Sequence, residues 1–101
     1  MNLLYKDSVL LDECLRLWGE DTQVDMLIEE MSELTFALLK ARRAGKGTIT
    51  SAVVEELTDV SIVLEEIRRL AERKGYDLSI PREEKMSRLA NLVFRCGGRI
   101  Q

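Results

Sequence analysis

An acidic pattern occurs twice in this chain, first at Glu29–Glu33 and again, 26 positions later, at Glu55–Asp59. The match extends beyond the acids, because Leu27–Arg43 aligns with Val53–Arg69. Two related helices are the simplest explanation. Each copy places two carboxylates three residues apart, and side chains at that spacing are neighbours on a helix. Four such carboxylates converging from two helices can bind a hard divalent cation.

The length and composition of the chain favour one small helical domain, residues 1–101, with a modest hydrophobic core. One proline, six glycines and a charged fraction of 33% leave few positions that would delimit strands. We therefore expect an all-α fold of about four helices in an antiparallel bundle, completed by dimerisation.

The charge balance and the residue types exclude several function classes. A net charge of −3 and a pI near 5.0 give no general attraction for nucleic acid or an anionic membrane. Histidine is absent, so histidine-bound metals are excluded, and the separated Cys14 and Cys96 form no zinc motif. No apolar stretch is as long as a membrane span and residues 1–17 lack a signal-peptide pattern, so we expect a cytoplasmic protein.

Capping and helix-breaking residues divide the chain into four predicted helices. Ser8 and the capping-box spacing of Thr22–Asp25 mark two helix starts. Gly45–Gly47 and Gly75 mark two helix ends, and residues 97–101 form a frayed tail. The predicted bounds are Ser8 to about Trp18, Thr22 to about Arg43, Thr48 or Thr50 to about Lys74, and a fourth helix with Pro81 in its first turn.

Each central helix has one apolar stripe on a helical wheel. The stripes that we expect to pack together as the core are Val24, Leu27, Met31, Leu34 and Leu38, and Val53, Leu57, Val60, Leu64 and Ile67. The acid pairs fall on the flanks of these stripes, beside apolar side chains. The alternative, a solvated acidic face, would more often include lysines, and none lies within Glu29–Glu33. A bound cation would offset this concentration of like charge.

The motif E-E-x-x-E at Glu29–Glu33, a 22-residue spacer and E-x-x-D at Glu56–Asp59 together resemble the signature of the MazG-like all-α nucleoside triphosphate pyrophosphohydrolases. The resemblance covers roughly residues 15–92. It implies hydrolysis of an NTP or dNTP between the α and β phosphates. It also implies a Mg²⁺ site, for which Mn²⁺ is an alternative, with ligands Glu30, Glu33, Glu56 and Asp59. Glu29 and Glu55 would be supporting catalytic acids that orient water or a further ion.

Basic and aromatic residues supply candidates for substrate contacts. Lys85 and Arg88 share one face of the fourth predicted helix, where we expect them to bind the substrate phosphates; ordinary solvent-exposed charges are the alternative. Trp18 and Gln23 are candidates for a base contact, although a single Trp on an apolar helix face more often belongs to the core. Four arginines near helix C-termini are expected to be structural: Arg42, Arg43, Arg68 and Arg69.

A second apolar face predicts self-association. Phe36 and Ile62 occupy equivalent positions in the two acidic copies and point away from the main stripes. One small subunit cannot easily cover both faces. A homodimer or a tetramer would bury the second face, and the resemblance to MazG-like proteins implies the same kind of assembly.

Two other functions remain open. Phosphoribosyl-ATP pyrophosphohydrolases share the helical acid motifs, but that family usually has a histidine soon after the second motif, where this chain has Ser61–Leu64. A non-catalytic helical interaction module, whose acids are solvated, is the other possibility. The base and the sugar of a nucleotide substrate are not specified by these motifs.

Overall fold

The computed structural model describes residues 6–45 and 47–99, and these residues form four helices and no strand. The helices are α1 (Asp7–Trp18), α2 (Glu20–Ala44), α3 (Ser51–Arg73) and α4 (Ser79–Arg95). The predicted all-α fold is confirmed. Lys46 of the predicted hinge and residues 100–101 of the predicted tail lie outside the described residues. None of the four helices has an apolar stretch sufficient to cross a membrane.

Glycine, rather than a capping side chain, separates α1 from α2. Gly19 has a φ of 83°, which favours glycine, and its N–H donates to the Leu15 carbonyl at 3.0 Å. Because α2 begins directly after this glycine, the predicted capping box at Thr22–Asp25 is wrong: those residues lie inside the helix. Ser8 is not a cap either, because Lys6 holds that position and the helix has already begun before Ser8.

The predicted signals around α3 are confirmed. Gly45 follows the end of α2 with a φ of 66°. The Thr50 hydroxyl accepts a hydrogen bond from the Val53 N–H at 3.3 Å and caps the start of α3. After α3, Gly75 has a φ of 92° and its N–H donates to the Glu72 carbonyl at 3.0 Å. Local backbone chemistry therefore sets both ends of this helix.

The start of α4 is fixed by an aspartate that precedes it. Asp77 Oδ1 accepts hydrogen bonds from the Ser79 N–H at 2.9 Å and from the Ser79 hydroxyl at 2.6 Å. Pro81 lies in the first turn, as predicted.

By compactness the chain divides into two units, the first ending at Arg69 and the second beginning at Leu70. The second unit contains α4, none of whose residues is buried.

One buried cluster of the first unit lies between α2 and α3. Ala37 and Ala41 of α2 pack with Val53 of α3, and Leu34 and Leu38 pack against them while partly buried. Val53 is 1% exposed. Because the α2 side chains at this contact are alanines, the two helices can approach closely.

The contact line of α3 differs from the predicted stripe. It follows Val53, Glu56, Val60, Val63 and Glu66, at intervals of three and four residues. Three residues predicted for the core, Met31, Leu57 and Leu64, are 44%, 49% and 43% exposed. The wheel favoured large apolar side chains, whereas alanine and valine make the close contact. As a result, Glu56 lies within the contact line and not beside it.

Arg69 joins α3 to α1. Its Nε and Nη2 donate to Asp12 Oδ1 and Oδ2 at 3.1 and 2.9 Å, the paired geometry typical of arginine with a carboxylate. The structural role predicted for Arg69 is confirmed.

The second apolar face is present on the first unit. Phe36 and Ile62 are 64% and 51% exposed, as expected for residues that point away from the contact line. Their burial by a second copy of the chain, in a dimer or a tetramer, stays a prediction.

Replacing Val53 with Ala should lower the free energy of unfolding by about 2 kcal/mol, because the substitution leaves a cavity between α2 and α3. Urea unfolding measures the change. Val54→Ala is the matched control: it removes the same atoms from a neighbouring side chain that is 48% exposed, and should change the free energy by less than about 0.5 kcal/mol. Equal losses in the two variants would contradict this placement of the core.

Candidate metal centre and adjoining groove

Three carboxylates from two helices meet in the first unit. Glu30 and Glu33 lie one turn apart on α2, and Glu56 approaches them from α3. One carboxylate oxygen from each residue lies within 4.8 Å of the corresponding oxygens of the other two. The fold therefore brings together three of the four residues that the repeated motif proposes as ligands.

Asp59, the fourth proposed ligand, lies near this group without belonging to it. Its charge contributes to the raised pKa values of Glu30 and Glu56, after burial and the charge of Glu33. Its oxygens are not within the tight group formed by the other three. Binding of an ion by Asp59 stays a prediction.

Glu30 and Glu56 each have one carboxylate oxygen without a hydrogen-bond partner in the described part of the chain. Burial first, and then the charge of Glu33, raise the pKa of each. The Oε2 atom of each is buried and has no hydrogen-bond partner among the described residues. An uncompensated buried carboxylate oxygen is costly. A divalent cation would offset that cost, and a donor set made only of oxygens fits Mg²⁺ and Mn²⁺.

Contacts on either side of the acids show that α2 and α3 are antiparallel. Ala37 packs with Val53 on one side. Nearer the start of α2, the Gln23 amide faces the Glu66 carboxylate, and in the amide orientation that satisfies both groups its nitrogen donates to the two carboxylate oxygens at 2.8 and 2.9 Å. Gln23 is 2% exposed. The proposed contact of Gln23 with a base is therefore wrong, because its amide is buried and already has a partner.

A groove of about 640 Å³ adjoins the three acids. Glu33 and Glu56 line it and also belong to the carboxylate group, so the groove opens directly beside the candidate metal centre. Phe36 contributes an aromatic wall. The other apolar walls are the alanines Ala37, Ala41, Ala44 and Ala52. The combination offers an apolar surface next to a site suited to a cation.

The two proposed supporting acids occupy different surroundings. Glu29 lines the groove together with Glu33. Glu55 is not among the lining residues, and it acts on the site through its charge, the last contribution to the raised pKa of Glu56. The structure therefore gives Glu29 access to a ligand in the groove, whereas Glu55 reaches the site indirectly.

Lys40, which motif matching does not identify, brings a positive charge to the groove. It follows Glu33 by seven residues, so the two side chains project from the same face of α2 and start about 10 Å apart along the helix axis. That spacing is the sequence signal that could have identified it. The groove thus has carboxylates at one position and a cation two turns away.

The remaining candidates are Trp18, Lys85 and Arg88. Trp18 is 57% exposed, so it is not a core residue, and it is not a lining residue of the groove. A contact of Trp18 with a base stays a prediction. Lys85 and Arg88 are exposed residues of α4 in the second unit. Phosphate binding by Lys85 and Arg88 stays a prediction.

The electrostatics of the three acids predict that the metal-free protein becomes less stable as pH rises. Glu30 and Glu56 have raised pKa values, so the folded chain keeps protons that the unfolded chain, with a Glu pKa of 4.5, has released. The free energy of unfolding should fall as pH rises from 4.5 through the raised folded-state values. Mg²⁺ should restore stability above that range by neutralising the ionised acids.

Unfolding in urea at a series of pH values, with EDTA and with Mg²⁺, checks this prediction. The Glu30→Gln/Glu56→Gln variant is the control: its stability should depend less on pH, because among the described carboxyls with a raised pKa only the buried Glu66 remains, and it should not respond to Mg²⁺. Identical curves for the original protein with EDTA and with Mg²⁺ would contradict it.

Comparisons with known proteins add no independent assignment. No protein-family model matches the chain, and neither a curated protein nor a solved structure matches it. The MazG-like resemblance therefore depends on the two motifs and their spacing, and family membership stays a prediction.

Proposed function

We propose that this protein is a Mg²⁺-dependent nucleoside triphosphate pyrophosphohydrolase, which cleaves an NTP or dNTP between the α and β phosphates to give the monophosphate and pyrophosphate. The observation that carries the proposal is the meeting of Glu30, Glu33 and Glu56 beside a groove large enough for a nucleoside. The acid motifs resemble those of MazG-like enzymes, which adds support from the sequence.

The proposed ligands of the ion are Glu30, Glu33 and Glu56, with Asp59 close by as the fourth. When bound, Mg²⁺ would neutralise and orient the triphosphate and make water a better nucleophile; Mn²⁺ has the same preference for oxygen ligands. The unpartnered Oε2 atoms of Glu30 and Glu56 support this role. Histidine and a nucleophilic serine or cysteine are not required for such a reaction.

In the proposed reaction, Glu29 orients the attacking water from the groove. A carboxylate oxygen of Glu29 accepts the proton of the water as the water oxygen forms a bond to the α phosphorus. The bond from the α phosphorus to the bridging oxygen breaks, and pyrophosphate leaves with that oxygen. Glu55 has a supporting role, because its charge acts on Glu56.

The groove is the proposed place for the nucleoside. Phe36 and the alanine walls suit the flat apolar faces of a base. Lys40 can donate hydrogen bonds to a polar atom of the nucleoside or to a phosphate oxygen. Lys85 and Arg88 are proposed to hold the triphosphate, for which arginine offers paired hydrogen bonds and lysine a compact charge.

Self-association is part of the proposal. Phe36 and Ile62 leave large apolar side chains exposed on the first unit, and a second copy of the chain in a dimer or a tetramer would remove such side chains from water. Nucleic acid and membranes are not proposed as partners, because the net charge is −3.

Release of pyrophosphate from a panel of NTPs and dNTPs tests the activity. We expect release with Mg²⁺ and none with EDTA, and Glu56→Gln should lower the rate by about a hundredfold because it removes an ionised ligand. Glu65→Gln is the matched control: it makes the same change at an exposed position of α3 and should keep the original rate. Full activity of the Glu56→Gln variant, or release that EDTA does not affect, would contradict the proposed metal chemistry.

Calorimetry with a non-hydrolysable triphosphate tests the basic residues. Lys40→Ala, Lys85→Ala and Arg88→Ala should each weaken nucleotide binding by about tenfold, since each removes a charge-assisted hydrogen bond. Binding of Mn²⁺ alone should not change. Arg82→Ala removes another exposed cation of α4 and serves as the control. Nucleotide affinity equal to that of the control would assign the tested residue to the solvated surface.

A further inference from the structure

Gln23 and Glu66 form a buried polar pair that the proposed chemistry does not use. Each side chain is 2% exposed, and they are the two buried polar residues among the described positions. With the Gln23 amide oriented so that both groups are satisfied, its nitrogen lies 2.8 Å from one carboxylate oxygen of Glu66 and 2.9 Å from the other. The pair connects the first half of α2 with the second half of α3.

Burying this polar pair costs more free energy than burying apolar side chains at the same positions. A buried carboxylate loses hydration, and a single neutral amide restores only part of it; burial accordingly raises the pKa of Glu66. Two apolar residues of similar volume would often stabilise a protein more. A buried polar pair can instead fix the register of two helices. Its hydrogen bonds form in one alignment of the helices and are lost in others.

The position of the pair relates it to the carboxylate group. Gln23 precedes Glu30 by seven residues, so it continues the same face of α2 about 10 Å along the helix axis. Glu66 lies on the contact line of α3 that also contains Glu56. Beside it, α1 contributes Cys14, whose pKa is raised by burial and then by the charge of Glu66. Three helices therefore meet where the pair forms.

The alanine and valine contact on the other side of the acids fixes the register of α2 and α3 less firmly than the polar pair does. Ala37 and Ala41 meet Val53 through apolar surfaces, and such contacts are not directional. Between these alanines and the Gln23–Glu66 pair, the like charges of Glu30 and Glu56 oppose each other and favour separation of the helices. A directional contact beyond the acids would resist that separation.

We infer that Gln23 and Glu66 are positioning residues that hold α2 and α3 in the register in which Glu30, Glu33 and Glu56 meet. This inference rests on the proposed metal centre. Neither residue touches the ion or the substrate, and they act by fixing where the carboxylates of the two helices stand before an ion binds.

The affinity for Mn²⁺ alone, measured by calorimetry beside urea unfolding, tests the inference. The Gln23→Leu/Glu66→Leu variant replaces both partners with apolar residues, which leaves no buried group unpaired and should keep the protein folded. Its Mn²⁺ affinity should nevertheless fall by about tenfold, the lower end of what residues outside the ligand shell cause. Val63→Ala, which shortens a buried residue of α3, is the control: it should lose stability and keep the affinity of its folded form.

Exchanging the two residues of the pair provides a second test, which applies even if the double leucine variant does not fold. Gln23→Glu alone places two carboxylates face to face and should weaken Mn²⁺ binding by about tenfold. Adding Glu66→Gln restores one amide and one carboxylate, and should return the affinity to within about twofold of the original. Original affinity in the double leucine variant, or no recovery in the exchanged pair, would overturn the positioning role.

Pyrophosphate release measured on the same samples separates this inference from the proposed function. Mn²⁺ binding that depends on the pair, without hydrolysis of any nucleotide, would reject the enzymatic function and keep the positioning role. Hydrolysis that is unchanged in the double leucine variant, together with unchanged Mn²⁺ affinity, would reject the positioning role and keep the enzyme. Absence of Mn²⁺ binding by the original protein would reject both.

Discussion

Carboxylates of like charge face each other across the contact between α2 and α3, and the first unit is organised around that repulsion. The alanine and valine contact holds the helices together on one side of the acids. On the other side, the Gln23–Glu66 pair and the Asp12–Arg69 ion pair tie α3 to its two neighbours. The acids are therefore held in place by contacts that do not depend on an ion. A cation that binds there would meet ligands whose ordering cost has already been met by folding.

The metal centre and the groove are joined through shared side chains. Glu33 belongs to the carboxylate group, lines the groove and is exposed, whereas Glu30 is partly buried. An ion bound by these residues would therefore be accessible from the groove. The alanines of the groove wall leave open the volume that larger side chains at these positions would fill. One helix face thus supplies both the charge of the site and the space beside it.

Sequence spacing predicted the number of helices and most of their ends because glycine, proline and threonine act through local backbone chemistry, as Gly45 and Thr50 do here. The start of α2 could not be predicted from capping side chains, because the positive φ of Gly19 allows the helix to begin earlier. The acid cluster followed from the repeated motif.

The contact line was harder to predict, since close packing selected alanine and valine over the leucines that the wheel favoured. The same line contains Glu56, so the partial burial of Glu56 followed from packing that the sequence did not specify. Gln23 shows the same limit, since pairing with a residue far along the chain, Glu66, depends on helix register. The place of Lys40 in the groove likewise follows from the tertiary fold.

The repeat of the acidic motif and the antiparallel course of the two helices together imply an approximate twofold axis within one chain. The 26-residue offset maps the neighbours Glu33 and Glu56 onto Asp59 and Glu30. The same operation relates Glu66 to Lys40. One end of the internal symmetry has become a closed polar contact and the other an open groove with a cation. Divergence between the two copies of a duplicated helix would thus account for acids that repeat in the sequence and a site that is open on one side only.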